Sequence, residues 1–232
     1  MDIRVLPDAE EVALEAARLI AVMARKTVEE RGRFVLAVSG GITPWKMLQS
    51  FGKEDVPWQN VHVFQVDERV VPSGHPDRNL THLRACLLGH SPLSEDNIHA
   101  MPVESKDLES AAVSYALTLC KIAGTPPVLD LVHLGLGSDG HTASLVPGDQ
   151  VLKVDGSDVA MTGVYQGRKR MTLTYPIINR ARSILWVVTG AQKVTMLKRL
   201  LVADASIPAG RICQDISLIL ADSDAIGGMM LK

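Results

Sequence analysis

Phe34-Val35-Leu36-Ala37-Val38 is the stretch that decides the fold, and Ser39-Gly40-Gly41 follows it directly. Five apolar residues in a row that end at glycines are typical of a short strand buried on both faces, as in a parallel sheet. Pro44 fits the first turn of a helix, where its missing N–H group removes no hydrogen bond. Residues 34–44 therefore predict a strand, a tight turn and a helix.

Strands and helices alternate along the rest of the chain. Helical spacing of apolar residues predicts four helices, at 8–30, 79–88, 105–122 and 191–201. Short apolar runs predict five more strands, at 61–66, near Ile98, and at 128–134, 184–188 and 217–220. This order is typical of an α/β fold, Rossmann-like, with a doubly wound, mainly parallel sheet and helices on both faces. Because no repeat or long linker divides the chain, we expect residues 1–232 to form a single domain.

Composition and charge exclude several classes of protein. Hydrophobic residues make up 47% of the 232 residues and charged residues 22%, as in ordinary soluble globular proteins. The net charge is -2 and the basic residues are scattered, so the sequence predicts no nucleic-acid-binding surface. The three cysteines are odd in number and lie far apart, which predicts neither a disulfide framework nor a redox motif.

The sequence patterns predict neither a membrane segment nor an export signal. The apolar runs fall short of the roughly 18 residues that a membrane-spanning helix needs. Glu10, Glu11 and Glu15 interrupt the first apolar segment, which a secretory signal would not tolerate. We therefore expect a cytoplasmic protein that uses no membrane and no obligate protein partner.

The loop at residues 39–44 lies where doubly wound sheets bind ligands, beyond the carboxyl end of a strand. Backbone N–H groups, the hydroxyls of Ser39 and Thr43 and a helix N-terminus surround one point there, which favours a phosphate site. The alternatives are a plain turn in which Thr43 caps the helix, and a nucleophile elbow with Ser39 as covalent nucleophile. Pro44 delays the helix start, unlike in such an elbow, so we favour Ser39 as a phosphate ligand.

The loop after the next strand carries Asp67-Glu68-Arg69, three charged residues without a break. We expect Asp67 and Glu68 to hold Arg69 in place, so that its guanidinium binds a phosphate or a carbonyl oxygen. The alternative is a solvated charge cluster at the end of a strand. Its position at the crevice favours the functional interpretation.

Residues 135–140 formally match the G-x-G-x-x-G dinucleotide fingerprint. The match is weak, because the motif lies past mid-chain and the acidic residues about 20 positions later fall in a polar loop. Instead, the glycines present His141 beside Asp139 at the head of a helix, where a histidine can act as a general base near neutral pH. The alternative is a histidine that only hydrogen-bonds a helix start. The other histidines lack ligand spacing, so we expect no metal and no cofactor.

Taken together, the three loops resemble the 6-phosphogluconolactonase family, whose pattern runs S-G-G-x-T-P, D-E-R-x-V-P and G-x-G-x-D-G-H-T-A-S-L-F-P-G. This chain has SGGITP at 39–44, DERVVP at 67–72 and GLGSDGHTASLVPG at 135–148. The resemblance extends to 170–174 and 190–193, so it covers nearly the whole chain.

Two rivals accompany this resemblance, and the chain departs from the family pattern at Arg78-Asn79-Leu80 for S-N-Y, at Val146 for phenylalanine, and most at 165–169. Glucosamine-6-phosphate deaminases follow D-G-H with I-A-F-N-E-P, and their glutamate would fall at Val146 here. They also carry D-E-Y at 67–69, so a deaminase-like enzyme is less favoured. A sugar-phosphate sensor without catalytic activity is the second rival. The family's K-P-P lead-in to R-x-T-L-T is replaced here by Tyr-Gln-Gly-Arg-Lys at 165–169.

The resemblance implies hydrolysis of a small phosphorylated sugar lactone, 6-phospho-D-glucono-1,5-lactone, to 6-phosphogluconate in the oxidative pentose phosphate pathway. We expect His141 to activate water, Arg69 to stabilise the oxyanion and Asp139 to play a supporting role. We expect the phosphate to be bound by Ser39, Gly40, Gly41, Thr43, Arg170 and Lys193. The pattern leaves open which basic residue at 168–170 reaches the substrate, and alignment with the family favours Arg170.

Overall fold

The computed structural model describes residues 1–229, so the last three residues of the predicted 1–232 domain lie outside it. Ten strands and seven α-helices occur within this range. The strands are β1 (Asp2–Leu6), β2 (Phe34–Val38), β3 (Val61–Gln65), β4 (Asp67–Arg69), β5 (Ile98–His99), β6 (Leu131–Leu134), β7 (Val159–Met161), β8 (Arg170–Leu173), β9 (Ile184–Val188) and β10 (Ser217–Asp222). The helices are α1 (Ala9–Arg31), α2 (Ile42–Phe51), α3 (Asn79–Leu87), α4 (Leu108–Ala123), α5 (Tyr175–Asn179), α6 (Val194–Leu201) and α7 (Ser223–Ile226).

Seven of these strands form the large sheet, in the order β1-β10-β9-β6-β2-β3-β5, and every neighbouring pair is parallel. All five residues of β2 are buried, as expected for a central strand. From β2 the chain adds β3 and β5 in one direction, and it later adds β6 and β9 in the other. The strand order therefore reverses between β2 and β6, which opens a crevice at their carboxyl ends.

Helices cover both faces of the large sheet, because successive residues of each strand point to opposite sides. Phe34 and Leu36 belong to the apolar core formed with α1, α2 and α3. Val35 and Ala37 belong to the core on the other face, together with residues of α4 and α6. Burial of each large apolar side chain in such a core stabilises the fold by about 1.5–3 kcal/mol. The predicted α/β class, parallel sheet and two helical layers are confirmed.

Local capping sets where the helices begin. The side chain of Asp8 accepts hydrogen bonds from two backbone N–H groups at the start of α1. Asp107 caps α4, so this helix begins at Leu108 and not at the predicted position 105. The predicted helix at 191–201 begins with a 3-10 turn, Ala191–Lys193, that precedes α6. Within residues 1–229, no helix has the length and apolar character needed to cross a membrane.

The small sheet, which the sequence patterns do not predict, has three antiparallel strands in the order β4-β8-β7. Each strand has only three or four residues, which is too short for a clear apolar run. In addition, β4 and β8 carry charged side chains. Asp67–Arg69, expected in a loop, is strand β4. Hydrogen bonds from Leu173 N to Val66 O (2.8 Å) and from Val66 N to Val38 O (3.0 Å) fix the small sheet to the end of β2.

The sequence patterns also miss β1, a strand at the edge of the large sheet that pairs in parallel with β10. All of its residues are at least partly exposed. An edge strand with exposed side chains lacks the continuous apolar run that identifies the central strands.

Candidate active site

A cavity of about 340 Å³ opens where the crevice between β2 and β6 meets the small sheet. Six of the nine predicted site residues line it, namely Ser39, Gly40, Arg69, His141, Arg170 and Lys193. Asp139 is hydrogen-bonded directly to one of them, His141. The fold thus brings together residues that lie far apart in the chain.

Gly41 and Thr43 face a second, adjoining cavity of about 550 Å³ and do not line the first. Oγ1 of Thr43 lies 2.8 Å from Oγ1 of Thr189, so this side chain ties the turn to the end of β9. Gly40 and Lys193 line both cavities. The predicted phosphate residues are therefore divided between two neighbouring spaces.

The turn after β2 is supported by His133, a buried residue of β6 that the sequence patterns do not single out. Its Nδ1 accepts a hydrogen bond from Ser39 N (3.2 Å), which places its own hydrogen on Nε2. Burial lowers the pKa of His133 to about 3, so the ring is neutral at physiological pH. Its Nε2 is buried without a hydrogen-bond partner among residues 1–229. Because His133 binds the backbone of Ser39 and not its hydroxyl, it lends no support to a nucleophile elbow.

His141 and Asp139 form a hydrogen-bonded pair, the dyad, in the loop after β6. Asp139 Oδ1 accepts hydrogen bonds from His141 Nδ1 at 2.6 Å and from His141 N at 3.1 Å. The first bond places the hydrogen on Nδ1 and leaves Nε2 with a free lone pair. Burial alone would raise the pKa of Asp139, but the hydrogen bonds from His141 outweigh it and hold this pKa below its usual range. The dyad can therefore accept a proton at Nε2 while the carboxylate stays ionised.

His141 does not stand at the head of a helix, and this part of the sequence prediction is wrong. Residues 142–149 form turns and a bridge between Thr142 and Leu145. Ala143 has a φ of 48° and Gly148 a φ of 79°, and such left-handed residues interrupt a right-handed helix. A loop without a helix N-terminus also lacks the feature that binds a dinucleotide pyrophosphate, so the fingerprint interpretation loses its support.

Two glycines of the same loop leave room for the dyad and its neighbours. A Cβ atom on Gly137 would lie 2.1 Å from His141 Nδ1 and 2.6 Å from Asp139 Oδ1. A Cβ atom on Gly140, whose φ is +86°, would lie 2.7 Å from Ile207 Cβ. These glycines are therefore required for packing around the dyad.

Arg69 and Arg170 lie directly opposite each other on β4 and β8. Like charges at such positions destabilise a sheet, so this placement works against the stability of the small sheet. The Nε of each arginine is buried without a hydrogen-bond partner among residues 1–229. Burial lowers the pKa of Arg170, while the charge of Asp67 acts in the opposite direction. Both arginines line the cavity, where an anion would pair with their two positive charges, and this favours a binding role for the pair.

Asp67 and Glu68 do not hold the guanidinium of Arg69, contrary to the sequence prediction. Successive residues of a strand point to opposite sides, so Glu68 points away from Arg69. The buried carboxylate of Glu68 accepts hydrogen bonds of 2.8–2.9 Å from the backbone N–H groups of Arg69, Asn79 and Leu80. Asp67 accepts a hydrogen bond from Ser144 Oγ (2.6 Å) and lies 4.0 Å from Arg170 Nη1.

The guanidinium of Arg69 is held by the segment that leads into α3. Its Nη1 donates to Asp77 O (3.0 Å) and to Asn79 Oδ1 (2.8 Å). A Cβ atom on Gly40 would lie only 2.2 Å from Asn79 Oδ1, so glycine at this position leaves room for the amide that positions Arg69.

The structure distinguishes the three basic residues at 168–170. Arg170 is buried and lines the cavity. Arg168 pairs with Asp77 outside the cavity, with Nη2 2.9 Å from Oδ2, and Lys169 is exposed. Arg170 is therefore the one that can reach a ligand in the cavity.

Lys193 reaches the cavity from the 3-10 turn before α6. Burial lowers the pKa of its ammonium group, and the nearby charge of Asp139 counteracts this effect. Lys193 thus supplies a partly buried positive charge within electrostatic reach of the dyad.

Sequence reasoning missed Tyr165 and Asn79, which also line the cavity. The hydroxyl of Tyr165 donates to Asp139 Oδ2 (2.9 Å). A tyrosine in a polar turn belongs to no catalytic motif, and its one signal is that residues 165–169 depart from the family pattern. No group of three or more His, Cys, Asp or Glu side chains within residues 1–229 is placed to hold a metal ion.

Comparisons with known proteins identify the family of the chain. The model of the family described as Glucosamine-6-phosphate isomerases/6-phosphogluconolactonase matches residues 7–220. The 6-phosphogluconolactonase of a Synechocystis species is 39% identical over 201 residues, which cover 84% of this chain and 83% of that protein. The 6-phosphogluconolactonase of a Nostoc species is 35% identical over an alignment of 236 positions, which covers 99% of this chain and 98% of that protein.

The solved structure of 6-phosphogluconolactonase from Trypanosoma cruzi has a similar fold. It matches with a TM-score of 0.88 and 24% identity, over 99% of this chain and 97% of that chain. At this identity the likeness concerns the fold, and it includes the parallel sheet and its helical layers.

Proposed function

This chain belongs to the glucosamine-6-phosphate isomerase/6-phosphogluconolactonase family and has 6-phosphogluconolactonase activity, and we propose that His141 is the general base of that reaction. The observation that carries the proposal is the 2.6 Å hydrogen bond between His141 Nδ1 and Asp139. It leaves Nε2 free in a residue that lines the same cavity as Arg69 and Arg170. A base and a cationic donor for the oxyanion suit the hydrolysis of an ester-like lactone, and a second cation beside them can bind the phosphate of the substrate.

The chemical step uses His141 and Arg69. Nε2 of His141 removes a proton from a water molecule while the water oxygen bonds to the lactone carbonyl carbon. The carbonyl oxygen becomes an oxyanion, which the guanidinium of Arg69 stabilises. The bond between this carbon and the ring oxygen then breaks, and His141 returns its proton to the departing ring oxygen. Water has been added across the bond, and no covalent enzyme intermediate forms.

We assign the phosphate of the substrate to Arg170, Lys193 and the turn at Ser39 and Gly40. This group carries a charge of about -1.5 to -2 near neutral pH, which matches the two cations. Gly41 and Thr43 act from the adjoining cavity, where Thr43 fixes the turn through its contact with Thr189. The remote phosphate then orients the lactone ring toward His141.

A deaminase-like activity gains no support from this site. Where the deaminase pattern has a glutamate, this chain has Val146, which is buried and does not line the cavity. Location in the cytoplasm and action without an obligate protein partner stay predictions from the sequence.

His141→Ala tests the general base. We expect turnover of freshly made lactone to fall by about 10²- to 10⁴-fold toward the spontaneous rate, while binding of 6-phosphogluconate changes little. His90→Ala, a change at an exposed histidine, is the control and should keep full activity. An equal loss of product binding in His141→Ala would contradict the proposal, and absence of turnover in the wild type would favour the sensor.

The pH dependence of the wild type gives a second test. Protonated imidazole cannot accept a proton from water, so kcat/KM should fall as the pH is lowered. A kcat/KM that does not fall at any acidic pH at which the protein stays folded would exclude His141 as the base.

A further inference from the structure

Tyr165 is the first residue of a tight turn between β7 and β8 that lines the cavity. Tyr165 N donates to Arg168 O at 2.9 Å and Arg168 N donates to Tyr165 O at 3.2 Å, which closes the turn. Tyr165 and Gln166 line the cavity, whereas the preceding residue Val164 is exposed and does not line it. The turn connects strands of the small sheet, yet its tyrosine contacts the loop of the large sheet that carries the dyad.

The hydroxyl of Tyr165 completes the hydrogen bonding of Asp139. It donates to Asp139 Oδ2 at 2.9 Å, while Oδ1 accepts from His141. The same hydroxyl lies 3.4 Å from His141 Nδ1. Burial and the charge of Asp139 both raise the pKa of Tyr165, so this hydroxyl keeps its proton and remains a donor. Both carboxylate oxygens are therefore fixed, one by the base and one by the tyrosine.

The ring of Tyr165 contacts two further site residues. The guanidinium carbon of Arg170 lies 4.9 Å from the ring centroid, over its face. The His141 ring meets the Tyr165 ring edge-on, with 5.4 Å between centroids. Gln166 Oε1, next in the turn, accepts a hydrogen bond from Arg170 Nη2 at 3.1 Å. The turn therefore holds Arg170 in place from two sides.

We propose that Tyr165 is a positioning residue that couples the two halves of the site: its hydroxyl orients the Asp139–His141 dyad, and its ring holds Arg170 against the substrate phosphate. The inference rests on the proposed roles of His141 and Arg170. The hydroxyl of Tyr165 contacts Asp139 and its ring contacts Arg170, and both partners belong to the site. A tyrosine that served only stability would be expected to pack in the apolar core. It lies in the segment 165–169, where the chain departs from the family pattern.

The two roles make different predictions for substitutions. Tyr165→Phe keeps the ring and removes one hydrogen bond, so we expect kcat to fall by about 2- to 12-fold with KM little changed. Asp139, without that donor, becomes more basic and stabilises protonated His141 more strongly. The acid side of the kcat/KM profile should therefore move to higher pH.

Tyr165→Leu also removes the aromatic face beneath Arg170. We expect KM for the phosphorylated lactone to be about 2- to 30-fold higher in this variant than in Tyr165→Phe. Unphosphorylated gluconolactone, which makes no phosphate contact, should show no such difference. Val164→Ala, a change at the exposed residue that precedes the turn, is the control and should match the wild type with both lactones.

The experiment is steady-state kinetics of the three variants and the wild type with both lactones across pH. Wild-type kcat and an unshifted pH profile in Tyr165→Phe would overturn the role of the hydroxyl. Equal KM values for the phosphorylated lactone in the Phe and Leu variants would overturn the role of the ring. Failure of the proposed function is seen separately, because it is measured in His141→Ala, through its turnover and its binding of 6-phosphogluconate.

Discussion

The two sheets contribute to the site in different ways. The large sheet places site residues in the loops after its strands, with Ser39 after β2 and His141 after β6. The small sheet carries site residues within its strands, with Arg69 on β4 and Arg170 on β8. The large sheet thus provides a crevice that is independent of its ligand, whereas the small sheet is built around charges that a ligand would neutralise.

Burial gives the physical reason for this difference. The strand β2 is apolar and fully buried, so its formation is driven by the hydrophobic effect. The strands β4 and β8 bury Asp67, Glu68 and Arg170, and buried charges cost free energy unless they are paired. Strands that bury charges at the edge of a cavity are therefore expected to serve binding or catalysis more than stability.

Apart from His141→Ala in the large sheet, the largest effect is expected from the small sheet, through Arg69→Ala. Because Arg69 is the proposed donor to the oxyanion, we expect kcat to fall by about 10²- to 10³-fold, or about 2.7–4 kcal/mol. Steady-state kinetics with the phosphorylated lactone measures this. Lys169→Ala, at an exposed neighbour of β8, is the matched control and should retain wild-type kcat. If Arg69→Ala raised KM alone, Arg69 would belong to phosphate binding.

The next largest effect is expected for Lys193→Ala and Arg170→Ala, which remove one proposed phosphate ligand each. Lys193 follows β9 of the large sheet, and Arg170 lies on β8 of the small sheet. Each variant loses one charge-assisted contact, which costs about 1.5–3 kcal/mol, or roughly 10- to 150-fold in KM. The quantity to measure is the ratio of kcat/KM for the phosphorylated and unphosphorylated lactones, which isolates the phosphate. An unchanged ratio in Lys193→Ala would leave the phosphate to Arg170 and the turn at Ser39.

His133 is a fully buried histidine of the large sheet, and it predicts a dependence of stability on pH. Its pKa is about 3 in the fold against about 6.5 unfolded, so the unfolded chain takes up the proton first. The contribution of neutral His133 to the free energy of unfolding is therefore complete above about pH 6.5, and it is lost as the pH falls toward 3. Lowering the pH from 7 to 5 should therefore reduce the free energy of unfolding by about 2 kcal/mol through this residue.

His133→Asn tests this, because asparagine offers an acceptor to Ser39 N and does not titrate. Urea unfolding at pH 7 and at pH 5 gives the free energy of unfolding at each pH. The decrease from pH 7 to pH 5 should be smaller in the variant than in the wild type. Burial also lowers the pKa values of His62 and His99, so some pH dependence should remain. His90→Asn, at an exposed position, should keep the wild-type dependence, and an identical loss in His133→Asn would mean that His133 is not buried as a neutral ring.

The smallest expected effect concerns metals. The proposed hydrolysis needs only His141, Arg69 and the phosphate ligands, so incubation with a chelator should leave turnover unchanged. The assay compares chelated and untreated enzyme in metal-free buffer. Activity that is lost on chelation and restored by a single divalent metal would show that the mechanism lacks a component.

The part of the site that could be predicted from the sequence is the part built from loops at the carboxyl ends of strands. The crevice position of Ser39, Arg69 and His141 follows from apolar runs and from the rule that parallel strands place their carboxyl ends together. The partners of these residues did not follow. Glu68 turned out to support backbone groups and not the guanidinium of Arg69, because strand alternation directs it to the other side.

The sequence by itself determined six of the seven strands of the large sheet, its helical layers and six of the residues that line the cavity. Most of these follow from local patterns of apolar residues, glycines and charges, and Arg170 and Lys193 follow from the resemblance to the family. Only the tertiary structure decided that Arg69 faces Arg170, that Tyr165 reaches Asp139, and that His133 supports Ser39. Each of these contacts joins segments that are distant in the chain. Their pairing is set by sheet register and packing, which no local pattern encodes.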